Sequence, residues 1–163
     1  VYTTIGSIFG VNLETFQVLD NGQCESGAPQ GYAKDSQQVY FHNGDGKVKI
    51  IKGAEISAFH SLGDTFFAVD SKRIYAYGKQ LPKADLTSWK LLPHWYSYDD
   101  KRVYYLNREM KGADRESFIV CTPLEAAPLA DHLARDKYHF YQNDEIIEET
   151  IWLERLHKIM QGQ

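Results

Sequence analysis

The stretch Asp70-Ser71-Lys72-Arg73-Ile74-Tyr75 returns as Asp99-Asp100-Lys101-Arg102-Val103-Tyr104. An aromatic-rich run precedes each: Phe66-Phe67-Ala68-Val69 in one case, Tyr96-Ser97-Tyr98 in the other. A third copy is Tyr32-Ala33-Lys34-Asp35 followed by Val39-Tyr40-Phe41. A fourth, weaker copy is Asp136-Lys137-Tyr138-His139-Phe140-Tyr141. Self-similarity at a fixed period marks a repeat architecture, in which each unit is too small to bury its own apolar face and must stack on its neighbours.

The second half of the unit recurs as well. Lys111-Gly112-Ala113-Asp114-Arg115-Glu116-Ser117-Phe118 matches Pro82-Lys83-Ala84-Asp85-Leu86-Thr87-Ser88-Trp89 and Lys52-Gly53-Ala54-Glu55-Ile56-Ser57-Ala58-Phe59. Gly10-Val11-Asn12-Leu13-Glu14-Thr15-Phe16 is a further match. Two aromatic columns follow from the alignment. One is Tyr40, Tyr75, Tyr104 and Phe140; the other is Phe16, Phe59, Trp89 and Phe118, ending at Trp152. The period is about 30 residues and the count about five units. They fall near 1–31, 32–65, 66–95, 96–130 and 131–163, the first incomplete, within a single repeat domain. Val103-Tyr104 precedes Gly112 by the offset at which Val1-Tyr2 precedes Gly10. The chain therefore opens inside a repeat, and the expectation is that the native protein continues upstream of Val1.

Each unit reads as β-structure. The aromatic run before the Asp is a strand by its β-branched and aromatic content. Asp-x-Lys-Arg suits a tight turn, because an Asp side chain can accept from the backbone just after it. Ile74–Tyr77 and Val103–Leu106 form the return strand, and Gly78 or Asn107 makes the next turn, both tolerating φ > 0. A short strand follows around Leu81 or Met110. The Ala-Asp-x-x-Ser segment is one helical turn capped by Asp85 or Asp114. Trp89–Leu92 and Phe118–Cys121 suit extended chain. Asn43-Gly44-Asp45-Gly46-Lys47 is a hairpin-turn insertion. Thr122–Leu129, with Pro123 and Pro128, breaks the pattern as a linker or short helix. Beyond it Ile146, Ile147, Ile151, Trp152, Leu153, Leu156 and Ile159 recur near helical spacing, predicting an amphipathic helix over 147–160. The fold class is mainly β: an array of β-hairpin repeats, in a curved stack or propeller-like ring, with a C-terminal helix capping the last open edge.

Composition agrees with a folded domain. Of 163 residues, 43% are hydrophobic and 25% charged, and much of the aromatic share of 13% falls in the two columns. A formal net charge of −4 argues against nucleic-acid binding, which needs a basic surface. No apolar run is long enough for a membrane-spanning helix.

Asp-x-Lys-x-Val-Tyr-Tyr followed by Lys-Gly-Ala-Asp resembles the repeat of the DKNYT family of bacterial proteins, best over 32–121. The resemblance brings no catalytic motif. Some members are similar to predicted immunity proteins encoded beside polymorphic toxins, and others look like envelope or exported proteins. The fourth copy departs from the pattern, with His139 read at the position of Val or Ile.

No residue pattern announces a reaction. His42, His60, His94, His132, His139 and His157 form neither His-x-His nor His-Glu-x-x-His spacing. Neither Cys24 nor Cys121 lies in a nucleophile signature, and whether they pair or stay free is open. Asn43-Gly44-Asp45-Gly46-Lys47 lacks both P-loop spacing and a Glu at the twelfth position of a calcium loop. Asp35, Asp70, Asp99, Asp100 and Asp136 recur with the unit, and a residue needed in every copy is structural, whereas a catalytic pair is needed once. Aromatics outside the columns are the contact candidates: Tyr77, Trp95, Tyr96 and Tyr105. The expectation is a non-enzymatic protein-binding domain without cofactor, metal or nucleic acid. Its partner would be a protein such as a toxin, blocked by steric occlusion in the bacterial periplasm or envelope. The alternatives are a structural or adhesion module of the envelope and a carbohydrate-binding or carbohydrate-active protein.

Overall fold

A computed structural model describes residues 2–3, 6–7, 10–20, 30–44, 47–63, 66–123 and 132–161. The chain divides into two compact units, Val1–Leu81 and Pro82–Gln163. The hairpin β1 (Tyr2–Thr3) and β2 (Gly6–Ser7) opens the first unit. Two four-stranded antiparallel sheets follow. One holds β3 (Gln17–Val18), β4 (Gln30–Lys34), β5 (Val39–Asn43) and β6 (Val48–Ile50) in that order. The other holds β7 (His60–Ser61), β8 (Phe67–Val69), β9 (Ile74–Ala76) and β10 (Lys79–Gln80). The second unit repeats the plan. Its sheets are β11 (Lys90–Leu91), β12 (Tyr96–Tyr98), β13 (Val103–Tyr105) and β14 (Arg108–Glu109), then β15 (Ile119–Val120), β16 (Leu133–Arg135), β17 (Phe140–Gln142) and β18 (Glu145–Ile147). Helix α1 (Glu149–Met160) ends the described chain.

The sheets are offset by one strand from the units read in the sequence. The residues after Phe16, Phe59, Trp89 and Phe118 become the first edge strand of the next sheet, pairing with the aromatic-rich strand that follows. One sequence unit therefore bridges two sheets. The initial hairpin keeps the register of a later one: Tyr2 pairs Ser7 as Tyr104 pairs Glu109.

The recurring Asp is the pivot of each four-stranded sheet. Asp70 Oδ1 accepts from the backbone N–H of Lys72 and Arg73, both at 2.8 Å. Its Oδ2 accepts from the Tyr75 hydroxyl at 2.7 Å and from the Glu55 N–H, in the preceding helical turn, at 3.1 Å. Asp35 does the same with Gln37, Gln38, Tyr40 and Asn12. Asp99 does so with Lys101, Arg102, Tyr104 and Asp85. Asp136 does so with Tyr138, His139, Tyr141 and Asp114. All four carboxylates are buried. A buried carboxylate is tolerable only when its lone pairs are occupied, and here four donors occupy them.

This network corrects the first aromatic column. Its fourth member is Tyr141, which bonds Asp136, and not Phe140. His139 accordingly stands at the position of Arg73 and Arg102, and Phe140 at that of Ile74 and Val103. The fourth copy keeps the register, and the five-residue step from Asp to Tyr fixes it. The second column packs against the first, with Phe59 5.2 Å from Tyr75, Phe118 5.7 Å from Tyr141 and Phe16 6.2 Å from Tyr40.

The helical turns carry the expected caps. Asp85 accepts from the N–H and hydroxyl of Thr87, and Asp114 from the N–H and hydroxyl of Ser117. The hairpin turns depart from expectation in one residue. Gly78 has φ 70°, but the residue before it, Tyr77, is also left-handed at 52°. In the next copy Leu106 takes φ 48° and Asn107, expected to use φ > 0, does not; in the fourth Asn143 takes 55°. A two-residue link imposes this, because its mirror-image turn matches the strand twist. Asn tolerates it at little cost, whereas Leu pays about 1–2 kcal/mol.

The helix spans 149–160, two residues shorter at its start than its spacing suggested. It seats on the last sheet through one buried side chain, Trp152. The indole ring lies 5.2 Å from Phe140 and its Nε1–H donates to the Ala134 carbonyl at 3.1 Å. Asp45 and Gly46 of the insertion, residues 124–129 of the proline-containing break, and Cys24 lie outside the described residues.

Candidate contact site at the hairpin junctions

The four contact candidates fall at the start and end of the central hairpins, in both units. In the first unit Tyr32 of β4 reaches into the neighbouring sheet, donating its hydroxyl to the Phe66 carbonyl at 2.9 Å and accepting from the Gly78 N–H at 3.1 Å. Tyr77 lies beside this anchor, half-buried, its ring 5.3 Å from Phe41 and 5.6 Å from Phe66.

In the second unit Tyr96 of β12 plays the part of Tyr32. Its hydroxyl lies 2.6 Å from the His132 carbonyl and 2.9 Å from that of Asn143, at the junction of the last sheet's hairpin. Burial pushes its phenol well above the ordinary tyrosine range. The Tyr105 hydroxyl donates to Asn143 Oδ1 at 3.0 Å and lies 3.1 Å from His132 Nδ1. Trp95 stands edge-on to the His132 ring at 4.7 Å, and His94 stacks on that ring at 4.9 Å. His94 Nε2 faces two acceptors, the Thr122 carbonyl at 3.2 Å and that of Pro123 at 2.9 Å, so this nitrogen carries the hydrogen. His94 and Trp95 have φ 56° and 67°, and the Tyr96 N–H closes the turn onto the Pro93 carbonyl at 3.3 Å.

Trp95, Tyr96 and Tyr105 are thus brought together, and Tyr77 belongs to the other unit. Tyr96 has no exposed surface and Tyr105 is buried, so both are core anchors between sheets and not contact residues. Trp95 and Tyr77 are half-buried. The sequence pattern does not single out His132 and Asn143, which receive these anchors, because the fourth copy departs from the others around them. Nor does it single out Tyr138. Among the described residues Tyr138 is the aromatic left exposed, at the tip of the Asp136 turn, with Lys137 Nζ 4.8 Å above its ring.

Apart from Leu13 in a turn and Ile151, Leu153 and Met160 on the helix, the exposed aliphatic side chains of the described residues lie on edge strands. Val18 and Ile50 are on the two edges of the β3–β6 sheet, Leu91 on β11, and Ile119 and Ile146 on the two edges of the last sheet. The β7–β10 sheet has polar edges, His60, Ser61, Lys79 and Gln80.

The titratable groups are bound into the scaffold. Burial alone would raise the Asp35, Asp70, Asp99 and Asp136 carboxyls, but their hydrogen bonds outweigh it and hold all four below the ordinary carboxylate range. Burial and the adjoining carboxylate push Tyr40 and Tyr75 up to about 12. Burial raises the Cys121 thiol, which favours its unreactive protonated form. Among the described residues no three His, Cys, Asp or Glu converge as metal ligands, and no helix is long and apolar enough to cross a membrane.

No curated protein and no solved structure matches the chain. Residues 1–145 match a repeat family, one letter removed in name from the resemblance noted above. The match spans every sheet and stops within β18, before the helix. By this match the chain belongs to the DKNYY family.

Proposed function

We propose that this domain is a non-enzymatic protein-binding module, and that it serves as an immunity protein that neutralises a bacterial toxin by covering its active cleft or approach surface. The observation that carries the reading is the exposed aliphatic edge. In three of the four four-stranded sheets an edge strand holds a solvent-facing Val, Ile or Leu, where edges are ordinarily blunted with charge. Such an edge offers both backbone hydrogen bonds and apolar contact to an incoming segment. The recurrent polar residues, which an enzyme of this size would need for chemistry, hold turns and sheets together instead. Tyr138 and the half-buried Trp95 add aromatic contact area in the second unit, and the net charge of −4 favours a basic partner through electrostatic complementarity.

The test is co-expression with the product of the adjacent gene in a bacterial host. Growth rescue together with a stable stoichiometric complex is the expected result. The substitutions Ile119→Lys and Tyr138→Ala should each weaken the complex at least about tenfold without loss of fold. Absence of rescue and of any complex would overturn the reading. Fractionation of cells producing the full-length protein tests the periplasmic or envelope location.

A further inference from the structure

The helix α1 buries only Trp152, yet its apolar stripe is wider than that contact. Leu153 is 51% exposed and Met160 68%, and Leu156 between them is half-buried. With 3.6 residues per turn, Leu153, Leu156 and Met160 lie along one line centred about 70° from the Trp152 direction, with Leu156 the nearest to it. Glu149 extends that line by one turn toward the helix start. The steps of four, three and four residues are those of a two-helix seam.

The charge on the helix reverses along its length. Glu149 lies in the first turn, and His157 and Lys158 lie in the last. Glu149 is on the seam and His157 flanks it. A helix with this layout is complementary to an antiparallel copy of itself: Leu153 then faces the partner's Leu156, and each acidic start lies beside the basic last turn of the other copy. The macrodipoles also oppose favourably in that arrangement. A parallel copy would set like charges together at both ends. This stretch lies beyond the family match over residues 1–145.

We infer that α1 is a self-association surface, on which a second copy of this chain docks antiparallel through the Leu153–Leu156–Met160 seam. The inference does not depend on the nature of any toxin partner. A twelve-residue helix presents a small seam, below the usual size of a stable interface, so the dimer forms at high concentration and dissociates on dilution.

Sedimentation equilibrium of the full chain tests it from about 10 µM to about 1 mM, the range in which a small interface associates. The expected result is a mass that rises from one chain toward two. L153E/M160E should stay at one chain throughout, and L13E, at an exposed turn position outside both the seam and the sheet edges, should behave as the unsubstituted protein. E149K should weaken association several-fold, and E149K/H157E, which reverses both ends, should restore it. Far-UV circular dichroism of each variant verifies that the helix persists. A one-chain mass at every concentration overturns the inference, as does a dimer undiminished in L153E/M160E. A double charge reversal no better than E149K alone overturns the antiparallel arrangement.

Discussion

At the residue scale the fold turns on one carboxylate per sheet, and its worth can be separated from that of its partners. Tyr104→Phe removes the hydroxyl that donates to Asp99 Oδ2 at 2.9 Å and leaves the ring in place. A hydrogen bond to a charged group contributes about 1.5–3 kcal/mol, and the lower half of that range is expected because three donors remain on the carboxylate. Asp99→Ala is worse, since it strips the buried Tyr104 hydroxyl and the N–H groups of Asp85, Lys101 and Arg102 of their shared acceptor. Urea unfolding should place it more than about 3 kcal/mol below the parent. Equal costs for the two variants would mean that the turn holds without its Asp. The sequence disclosed that this Asp recurs, and turn chemistry explained why. It did not disclose the tyrosine bond, because five residues separate the partners and nothing local requires them to meet. The burial of Tyr96 and Tyr105 is hidden in the sequence for a related reason. A tyrosine whose hydroxyl finds a buried carbonyl looks, in sequence, like one that faces water.

At the element scale short strands and tight links decide what is allowed. The inner strands β9 and β13 are buried at every position, Ile74-Tyr75-Ala76 and Val103-Tyr104-Tyr105. Alternation of apolar and polar residues therefore does not mark them, and their β-branched and aromatic content does. Strand existence was legible on that ground, and so was the C-terminal helix from its 3.6-residue spacing. The one-strand offset between sequence unit and sheet was not, since a two-residue strand carries too little pattern to show which neighbour it joins. The links between strands make a sharper test. Gly78 has φ 70°, and a Cβ there would stand 2.5 Å from Phe41 Cδ1. Gly63 has φ 75°, and a Cβ there would meet no atom of the described residues within 4 Å. Gly63→Ala should cost only the left-handed backbone, about 1–2 kcal/mol. Gly78→Ala must in addition displace a buried ring, and should lower the melting temperature markedly further. Trp152→Ala, which empties the helix seat, should cost about 3–5 kcal/mol. Trp152→Phe should recover most of that, less the bond to the Ala134 carbonyl.

At the scale of the whole molecule the repetition of one network makes stability a steep function of pH at both extremes. Four carboxyls, Asp35, Asp70, Asp99 and Asp136, are held below their ordinary value of 3.8 in the folded chain. Their stabilisation is complete above 3.8 and is lost as pH falls through the lowered folded values, because the unfolded chain takes up those protons first. Four tyrosines behave inversely. Tyr40, Tyr75, Tyr104 and Tyr141 are all raised above their ordinary value of 10.0, Tyr40 and Tyr75 to about 12. Their contribution is complete below 10.0 and declines as pH rises toward the folded values. Each proton in either limb is worth about 1.4 kcal/mol per pH unit, so the limbs steepen with the number of copies engaged. Stability measured by denaturant titration should therefore hold a plateau from about pH 5 to about pH 9 with respect to these groups. It should fall on both sides of that plateau. Asp70→Asn should lower the plateau and make the acid limb shallower by about one proton. Tyr75→Phe should make the alkaline limb shallower by the same count and leave the acid limb less changed, since Asp70 keeps its three backbone donors. An acid limb whose slope survives Asp70→Asn intact would show that this carboxylate is not among the groups that titrate on unfolding.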